Sequence, residues 1–414
     1  MKNIQPNSPF PVQTYTLSNG IRAVCRRTPG AVSYIGVVIA AGSRDEEDHR
    51  FGLAHFVEHT IFKGTRRRRS WHISNRMESI GGELNAYTSK EETVVYTNAP
   101  VGYASRAVEL LADVISESVF PDAEVERERE VVTEEINSYL DSPGEAVYDE
   151  FEELIYAGSG LAHNILGTPE SVHSLTPADC SDFLSTRYTP SRMVIYVSDP
   201  GDPDRMVRLL EQHFGSLERR TMPREFTVPP VVEPFDEVHD HGGHQAHTIV
   251  GARTFGRLDP RRHALLLLNN YLGGPCMNSR LNQELREQRG LVYTVDSNVA
   301  LMSDTGLFSI YFGSDPANVG RCCRLIAREL DRLASHRLTE RTFESVKRQY
   351  CGQLLVGSDH RESAAMSMGK SLMYFGEVHS VADTARRVRE VTAEQMREVA
   401  EMLSPSLCST LTLR

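Results

Sequence analysis

Two stretches of this chain, TPADCSDFLSTRYTPSRMVIYVS at residues 176–198 and TAEQMREVAEMLSPSLCSTLTL at residues 392–413, share one plan. Each opens with a threonine and has Asp179 or Gln395 three residues later, which is the pattern of a helix N-cap. Each continues through a helical segment and a proline to an apolar strand. Because the two stretches close the two halves of the chain, they predict two copies of one domain. Recurrence by chance is the alternative, and the similar order of elements in the rest of each half disfavours it.

Outside these endings, both halves carry strand and helix patterns in a similar order. Apolar, β-branched runs predict strands at residues 12–17, 21–25, 33–41, 84–88, 93–97, 193–198, 248–252, 291–299, 306–313 and 408–413. Helical spacing predicts helices at residues 48–63, 103–118, 122–140, 177–187, 259–272 and 278–289. The predicted fold class is α+β, with two homologous α/β-sandwich-like domains, each a mixed, mainly antiparallel sheet with helices packed on it.

A proline-rich segment separates the two halves. Residues 223–234 contain four prolines, which is typical of a linker. We therefore expect an N-terminal domain at residues 1–220, a linker at 221–235 and a C-terminal domain of the same fold at 236–414. Each domain, at roughly 200 residues, is long enough to bury a core of its own.

The composition of the 414 residues is that of a globular protein, with 40% hydrophobic and 24% charged residues. The net charge of −11, from 45 basic and 56 acidic side chains, argues against non-specific nucleic-acid binding. The seven cysteines are scattered and form no C-x-x-C pair, which favours a reducing compartment. The first residues, MKNIQPNSPFP, contain no apolar core of a signal peptide, and no apolar run is long enough to span a membrane, so we expect no membrane partner and a cytoplasmic location.

The sequence GLAHFVEHTIFKGT at residues 52–65 carries the strongest chemical signal, an H-x-x-E-H motif. On a helix, His55 and His59 lie one turn apart and project from the same face, where both can bind one Zn²⁺. Glu58 borders that face, and its carboxylate can take a proton from water bound to the metal and pass it to a leaving amine. A helix with two surface histidines is the alternative, because the motif alone is only moderately specific.

Catalytic zinc takes three protein ligands and leaves one position open, so a third donor is needed. The helix predicted at residues 122–140 is the richest source of carboxylates, among them Glu128, Glu134 and Glu135. Glu128 and Glu135 are seven residues apart and therefore lie on one helical face. A solvated acidic helix is the alternative for most of these glutamates, and spacing alone does not decide which one turns inward.

Three segments together resemble the pitrilysin and mitochondrial processing peptidase family of H-x-x-E-H zinc peptidases, in the form of its short bacterial single-chain members. They are residues 55–65, GGELNAYT at residues 81–88 and EREVVTEEI at residues 128–136. The resemblance implies that Glu135 is the third ligand of one Zn²⁺ per chain. It also implies that Glu128 is an outer-shell residue that orients a ligand and tunes the metal. Glu134 is the alternative to Glu135 at this position.

The resemblance extends into the second half of the chain. The sequence LGGPCMNSRLNQELREQRGLVY at residues 272–293 is similar to the family's glycine-rich loop and its Arg/Tyr pair. The implied pair is Arg286 and Tyr293, which would donate hydrogen bonds to an oxyanion or hold the substrate backbone. The GGPC sequence at residues 273–276 departs from the family's run of glycines. A surface salt bridge for Arg286 and a strand core position for Tyr293 are the alternatives.

The resemblance also implies a substrate-binding strand formed by Leu84, Asn85, Ala86 and Tyr87. An extended peptide adds to an open sheet edge through main-chain hydrogen bonds, with broad tolerance of sequence. An ordinary paired hairpin strand is the alternative. Thirteen acidic residues against two arginines in residues 122–153 favour a basic peptide as substrate, and a solvated acidic face is the alternative.

These patterns predict a zinc-dependent endopeptidase that cleaves unfolded peptides or oligopeptides inside a closed chamber, with Glu58 as the general base. In the family, two chains of this size act together, and this chain carries both the metal motif and the Arg/Tyr pair, so we expect a homodimer. A processing peptidase that needs a related partner subunit, and a non-catalytic scaffold like the core subunits of respiratory complexes, are the alternatives. The histidine-rich residues 239–247 could bind metal adventitiously, and we expect no second functional metal site there.

Overall fold

The computed structural model describes residues 3–5, 11–218 and 224–414. The predicted domain boundary between residues 220 and 221, and the first three residues of the predicted linker, lie outside the described residues. The described chain forms two separate β-sheets with helices packed on them. The predicted α+β fold class is therefore confirmed.

The first sheet has seven strands, which are β1 (Asn3–Gln5), β2 (Val12–Thr16), β3 (Arg22–Arg27), β4 (Val32–Ile39), β5 (Glu83–Thr88), β6 (Thr93–Pro100) and β7 (Met193–Asp199). Their order across the sheet is β1-β2-β3-β7-β4-β6-β5. Strands β3 and β7 run parallel, and the other neighbours run antiparallel.

The second sheet has five strands, which are β8 (Asp236–His239), β9 (Ala246–Phe255), β10 (Val292–Leu301), β11 (Thr305–Ser314) and β12 (Ser409–Leu413). Their order is β10-β11-β9-β12-β8. Strands β12 and β8 run parallel, and the other neighbours run antiparallel.

The two sheets have the same topology. The order β3-β7-β4-β6-β5 of the first sheet repeats as β8-β12-β9-β11-β10 in the second, with the parallel pair in the same place. Strands β7 and β12 are the two endings that the sequence singled out. The cap residues ahead of them behave alike, because the Thr176 and Thr392 hydroxyls accept hydrogen bonds from the backbone N–H three residues on. The predicted duplication is confirmed.

The helices fill the connections between strands. They are α1 (Leu53–Thr60), α2 (Ser70–Glu78), α3 (Ala104–Glu117), α4 (Asp122–Leu140), α5 (Pro143–Ile155), α6 (Pro169–Ser174), α7 (Pro177–Arg187), α8 (Pro203–Phe214), α9 (Arg262–Gly273), α10 (Val319–Ser335), α11 (Glu340–Gly357), α12 (Arg361–Phe375), α13 (Val381–Glu390) and α14 (Ala393–Glu401). Short 3-10 turns occur at Ser43–Asp45, Pro190–Arg192, Pro316–Asn318 and Pro405–Leu407.

The chain divides into two compact units, each built from three segments. The first unit comprises Met1–Ile136, His163–Phe226 and Ser358–His379, and the second comprises Asn137–Ala162, Thr227–Gly357 and Ser380–Arg414. These units differ from the contiguous domains at 1–220 and 236–414 that the sequence predicts, because each unit includes one segment from the other half of the chain.

Helices α12 and α5 account for this difference, because each packs its apolar face in the unit formed mainly by the other half of the chain. In the first unit, Ala365, Met368 and Leu372 of α12 pack in one buried cluster with Val38 and Val194 of the sheet. In the second unit, the apolar residues of α5 pack in a buried cluster with residues of β9 and β12. Helical periodicity shows that a helix has an apolar face, but it does not show which sheet covers that face.

Two predicted helices are shorter than their patterns. The helix expected at residues 48–63 begins only at Leu53, because Gly52 adopts a left-handed conformation with φ of 89°. The helix expected at residues 278–289 is a π-helical segment, Asn282–Glu287. Segments of this kind are often found at functional sites.

Two further predictions concern the environment of the chain. None of the helices in the described residues is long and apolar enough to cross a membrane. All seven cysteines are free thiols, as expected of a chain without a disulfide framework.

Substitution of Gly52 tests how tightly the start of α1 is packed. A Cβ at Gly52 would lie 2.5 Å from the carbonyl oxygen of Leu166, whereas Gly81, at φ of 73°, has no atom within 4 Å of that position. We expect Gly81→Ala to lower the free energy of unfolding by about 1 kcal/mol, the cost of the left-handed conformation. Gly52→Ala carries an additional overpacking cost of about 1–3 kcal/mol. Urea denaturation of both variants measures the difference, and equal losses would contradict the packing argument.

Candidate metal centre and active site

Helix α1 carries both histidines of the motif and the glutamate between them. Leu53, Phe56 and Val57 are buried in the core of the first unit, which fixes the rotation of the helix about its axis. With this rotation, His55 and His59 lie side by side with their ring centroids 4.5 Å apart. The predicted placement of the two histidines on one face is confirmed.

Helix α4 supplies the third donor. Glu135 Oε2 lies 3.8 Å from His55 Nε2 and 3.4 Å from His59 Nε2. Glu134, the alternative left open by the sequence, is exposed. The structure therefore brings Glu135, and not Glu134, to the pair of histidines.

The three donor atoms lie close enough together to share one metal ion. His55, His59 and Glu135 form the one group of potential ligands in the described residues whose donor atoms all lie within 4.8 Å of one another. Zn–N and Zn–O bonds of about 2.0–2.1 Å at tetrahedral angles place two ligand atoms about 3.3–3.5 Å apart. The separations of 3.4 and 3.8 Å are close to that value, so these residues fit a zinc ion.

Glu128 lies one heptad before Glu135 on the same buried face of α4. Its Oε1 is 3.0 Å from His59 Nδ1, and its Oε2 is 2.7 Å from Lys63 Nζ. Burial alone would raise the pKa of Glu128, but the hydrogen bonds from His59 and Lys63 hold that pKa below its ordinary value. A carboxylate at Nδ1 keeps the proton on that nitrogen and leaves Nε2 of His59 free to bind a metal.

His55 is held differently from His59. Its side chain is buried, and burial together with the nearby His59 lowers the pKa of His55 to about 3. The imidazole is therefore neutral, as a metal ligand must be. Its Nδ1 is buried without a hydrogen-bond partner among the described residues.

Glu58 lies beside the end of strand β5. Burial raises the pKa of Glu58, while the neighbouring Thr88, the last residue of β5, and the charge of His59 act in the opposite direction. A partly buried carboxylate beside the two histidines of a candidate metal site is suited to accept and return a proton.

Strand β5 is the last strand of its sheet and pairs with β6 on one side. The four residues expected to bind substrate, Leu84, Asn85, Ala86 and Tyr87, all lie on this edge strand. Leu84 and Ala86 pack against the core of the first unit, and Asn85 is exposed. Among the described residues β5 is thus both one strand of a hairpin with β6 and an edge strand of the sheet, and substrate binding there stays a prediction.

Arg286 and Tyr293 lie in the second unit. Arg286 is exposed in the π-helical segment and makes no side-chain hydrogen bond or ion pair with other described residues. The Tyr293 side chain is 71% exposed and sits at a β-bulge on the edge strand β10. Arg286 is therefore not in a surface salt bridge with another described residue, and Tyr293 is not in the core, which were the two alternatives. β-Bulges are common next to active sites.

The histidine-rich residues 239–247 are engaged with neighbouring polar groups of the second unit. His239 Nδ1 lies 2.6 Å from Glu150, and His241 Nε2 lies 2.8 Å from the other oxygen of the same carboxylate. His247 contacts the Tyr311 hydroxyl at 2.8 Å. His239, His241 and His247 therefore each contact another side chain of the protein.

Two residues next to the site were not predicted from the sequence. Thr88 lies beside Glu58, and Lys63 forms an ion pair with Glu128. Both lie inside segments that the motifs already contain, and Lys63 follows His59 by four residues. A spacing of four residues places two side chains on one side of a helix, so the sequence contained a signal for Lys63. The proximity of Thr88 to α1 depends on how strand β5 packs, which the sequence does not show.

The two adjacent glutamates provide a matched test of ligand identity. We expect Glu135→Gln to weaken zinc binding by more than about 100-fold, the upper end of the loss caused by removing an outer partner. Glu134→Gln leaves zinc affinity within about twofold, because an exposed side chain does not face the donors. Competition with a chromogenic chelator measures both dissociation constants. Equal effects of the two substitutions would refute the assignment of Glu135.

Comparison with known proteins places this geometry in a family. The chain matches the family model described as Insulinase (Peptidase family M16) over residues 22–169 and the model described as Peptidase M16 inactive domain over residues 174–350. It is 35% identical over 393 residues to an uncharacterized zinc protease of Mycobacterium leprae. The alignment covers 94% of this chain and 88% of the relative.

More distant relatives agree. The chain is 31% identical over 396 residues to the mitochondrial-processing peptidase subunit beta of Bos taurus, covering 92% of this chain and 80% of the relative. Its fold is similar to that of a protease from Helicobacter pylori, with a TM-score of 0.89, 21% identity and coverage of 97% of this chain and 99% of the other. The matches confirm the resemblance seen in the motifs, and the chain belongs to peptidase family M16.

Proposed function

We propose that this protein is a zinc-dependent endopeptidase that cleaves unfolded peptides or oligopeptides, with Glu58 as its general base. The observation that carries the proposal is the convergence of His55, His59 and Glu135 beside Glu58, at the end of an open sheet edge. A zinc protease relative at 35% identity supports the same reaction class.

Substrate binding follows from the edge strand. An extended peptide adds to β5 through main-chain hydrogen bonds, which select an unfolded chain and tolerate many sequences. Because Thr88 ends this strand and lies beside Glu58, a peptide paired with β5 passes next to the base. The acidic side chains of residues 122–153 support a preference for basic peptides.

The chemistry is divided among named side chains. His55, His59 and Glu135 would hold Zn²⁺, which would supply the Lewis acidity that polarises a scissile carbonyl and activates water. Glu58 takes a proton from the attacking water and then delivers it to the leaving amine. Arg286 and Tyr293 donate hydrogen bonds to the oxyanion or to the substrate backbone.

We propose that two copies of this chain enclose the substrate in a chamber in a reducing cytoplasm. The presence of the metal motif and the Arg286/Tyr293 pair in one chain supports a homodimer rather than a division of labour. The seven free thiols support the compartment. The second candidate, a processing peptidase that works with a related partner, is supported by relatives that are named as subunits.

The first test is hydrolysis of an internally quenched basic peptide by the purified, zinc-loaded chain. We expect Glu58→Gln to reduce kcat by at least about 100-fold while zinc remains bound, because proton transfer by a positioned side chain contributes about 10²–10⁴-fold. An acidic peptide of equal length serves as the substrate control. An inert wild-type chain that a partner subunit activates would favour the second candidate, and an inert chain in all settings would refute the enzyme.

A second test addresses the exposed tyrosine. We expect Tyr293→Phe to lower kcat by about 100-fold with unchanged zinc affinity, since loss of one oxyanion donor costs about 10²–10³-fold. Tyr103→Phe, also at an exposed position, is the control and retains wild-type kcat. Full activity of Tyr293→Phe in single-turnover measurements would remove Tyr293 from the active site.

A further inference from the structure

A buried polar cluster that the proposed mechanism does not use holds the first turn of helix α1. The Glu46 side chain is completely buried and accepts hydrogen bonds from the backbone N–H of Gly52 at 2.9 Å and of Ala54 at 2.7 Å. His163 Nε2 lies 3.0 Å from Glu46 and 3.1 Å from the Ser43 carbonyl oxygen. Because both of these partners are acceptors, His163 Nε2 carries a proton and donates it.

The segment that follows His163 contacts the same turn through its backbone. The Ser171 hydroxyl donates to the Phe51 carbonyl oxygen at 2.7 Å, and the His163 ring stacks on Phe51 with centroids 4.1 Å apart. A Cβ at Gly167 would lie 2.4 Å from the Phe51 carbonyl oxygen, so the two backbones are in direct contact. Lys90 Nζ in turn donates to the His163 carbonyl oxygen at 2.6 Å.

These contacts bear on the metal donors because of the length of α1. The helix has eight residues, and His55 and His59 are its third and seventh. A helix this short has little stability of its own, so its position is set by what it packs against. Glu46 bonds the backbone at residues 52 and 54, immediately before His55, and therefore acts at the end of the helix nearest that ligand.

The third ligand makes the position of α1 critical. Glu135 comes from α4, so the three donor atoms share one metal only if α1 is held in place relative to α4. Functional sites require geometry held to within about 0.5 Å and 10–20°. His59 has Glu128 to orient it, whereas His55 Nδ1 has no partner among the described residues, so the orientation of His55 depends on the backbone of α1.

We propose that Glu46 and His163 are positioning residues that clamp the first turn of α1 and thereby keep His55 in register with His59 and Glu135. The inference rests on the metal site in the proposed function. Neither residue is one of the proposed metal ligands or substrate-binding residues, and the clamp acts through the backbone at Gly52 and Ala54.

Two substitutions in the full-length chain test the clamp. Glu46→Gln keeps the size of the side chain but replaces one acceptor oxygen by a donor, and His163→Phe keeps the ring on Phe51 but removes the nitrogen. We expect each to weaken zinc binding by about 10-fold or more, in the range found for outer partners of metal ligands. Chelator competition gives the affinity, and the visible absorption of the Co²⁺-substituted protein reports the ligand geometry.

The control is a buried carboxylate of the same unit that bonds no residue of α1. Asp113 accepts a hydrogen bond from Thr65 at 2.9 Å and pairs with Arg68. Asp113→Asn is expected to lower the melting temperature and to leave zinc affinity and the Co²⁺ spectrum unchanged. In the two clamp variants we expect kcat to fall with little change in KM, because the substrate strand is untouched.

The outcomes separate the clamp from the metal site. If Glu46→Gln and His163→Phe lose stability like Asp113→Asn but bind zinc as tightly as the wild type, the clamp is purely structural and the proposal fails. If the wild type does not bind zinc, or binds it equally well after His55→Ala, the metal site itself fails. If Glu46→Gln does not fold, the zinc affinity of His163→Phe alone tests the proposal, because this variant keeps the ring that stacks on Phe51.

Discussion

The candidate active-site groups depend on one packing relationship, in which the short helix α1 meets helix α4 and the end of strand β5. Two potential metal donors come from α1 and one from α4, and Glu58 on α1, the proposed base, lies beside Thr88, the last residue of β5. None of these elements contains the site by itself. The burial of the apolar face of α1 in the core of the first unit is therefore the constraint from which the chemistry follows.

Charge makes this arrangement costly without a metal. Glu58, Glu128 and Glu135 are brought together in a partly buried region, where burial raises the pKa of Glu58. Lys63 offsets one of these negative charges through its contact with Glu128. A divalent cation at the donor cluster offsets more, since neighbouring carboxylates repel one another strongly where water is scarce. The charge balance of the side chains thus agrees with the donor geometry.

Duplication explains where the remaining candidate residues lie. The edge strand β5 of the first sheet corresponds to the edge strand β10 of the second, and Tyr293 sits on β10. The two copies of the fold have diverged at equivalent edges, one beside the metal donors and the other carrying an exposed tyrosine. Each unit also includes a helix from the other half of the sequence, α12 in the first unit and α5 in the second.

The sequence by itself determined the duplicated fold and the histidine pair, because capping patterns, β-branched runs and one-turn spacing are local properties of the chain. Spacing alone could not choose between Glu134 and Glu135, since rotation of α4 about its axis is set by what packs against it, and only the resemblance to a known family implied Glu135. For the same reason the sequence missed Thr88 and the exchange of α5, which depend on contacts between residues far apart in the chain. Only the tertiary structure decided these points, because burial and partner choice are properties of the packed molecule rather than of any segment.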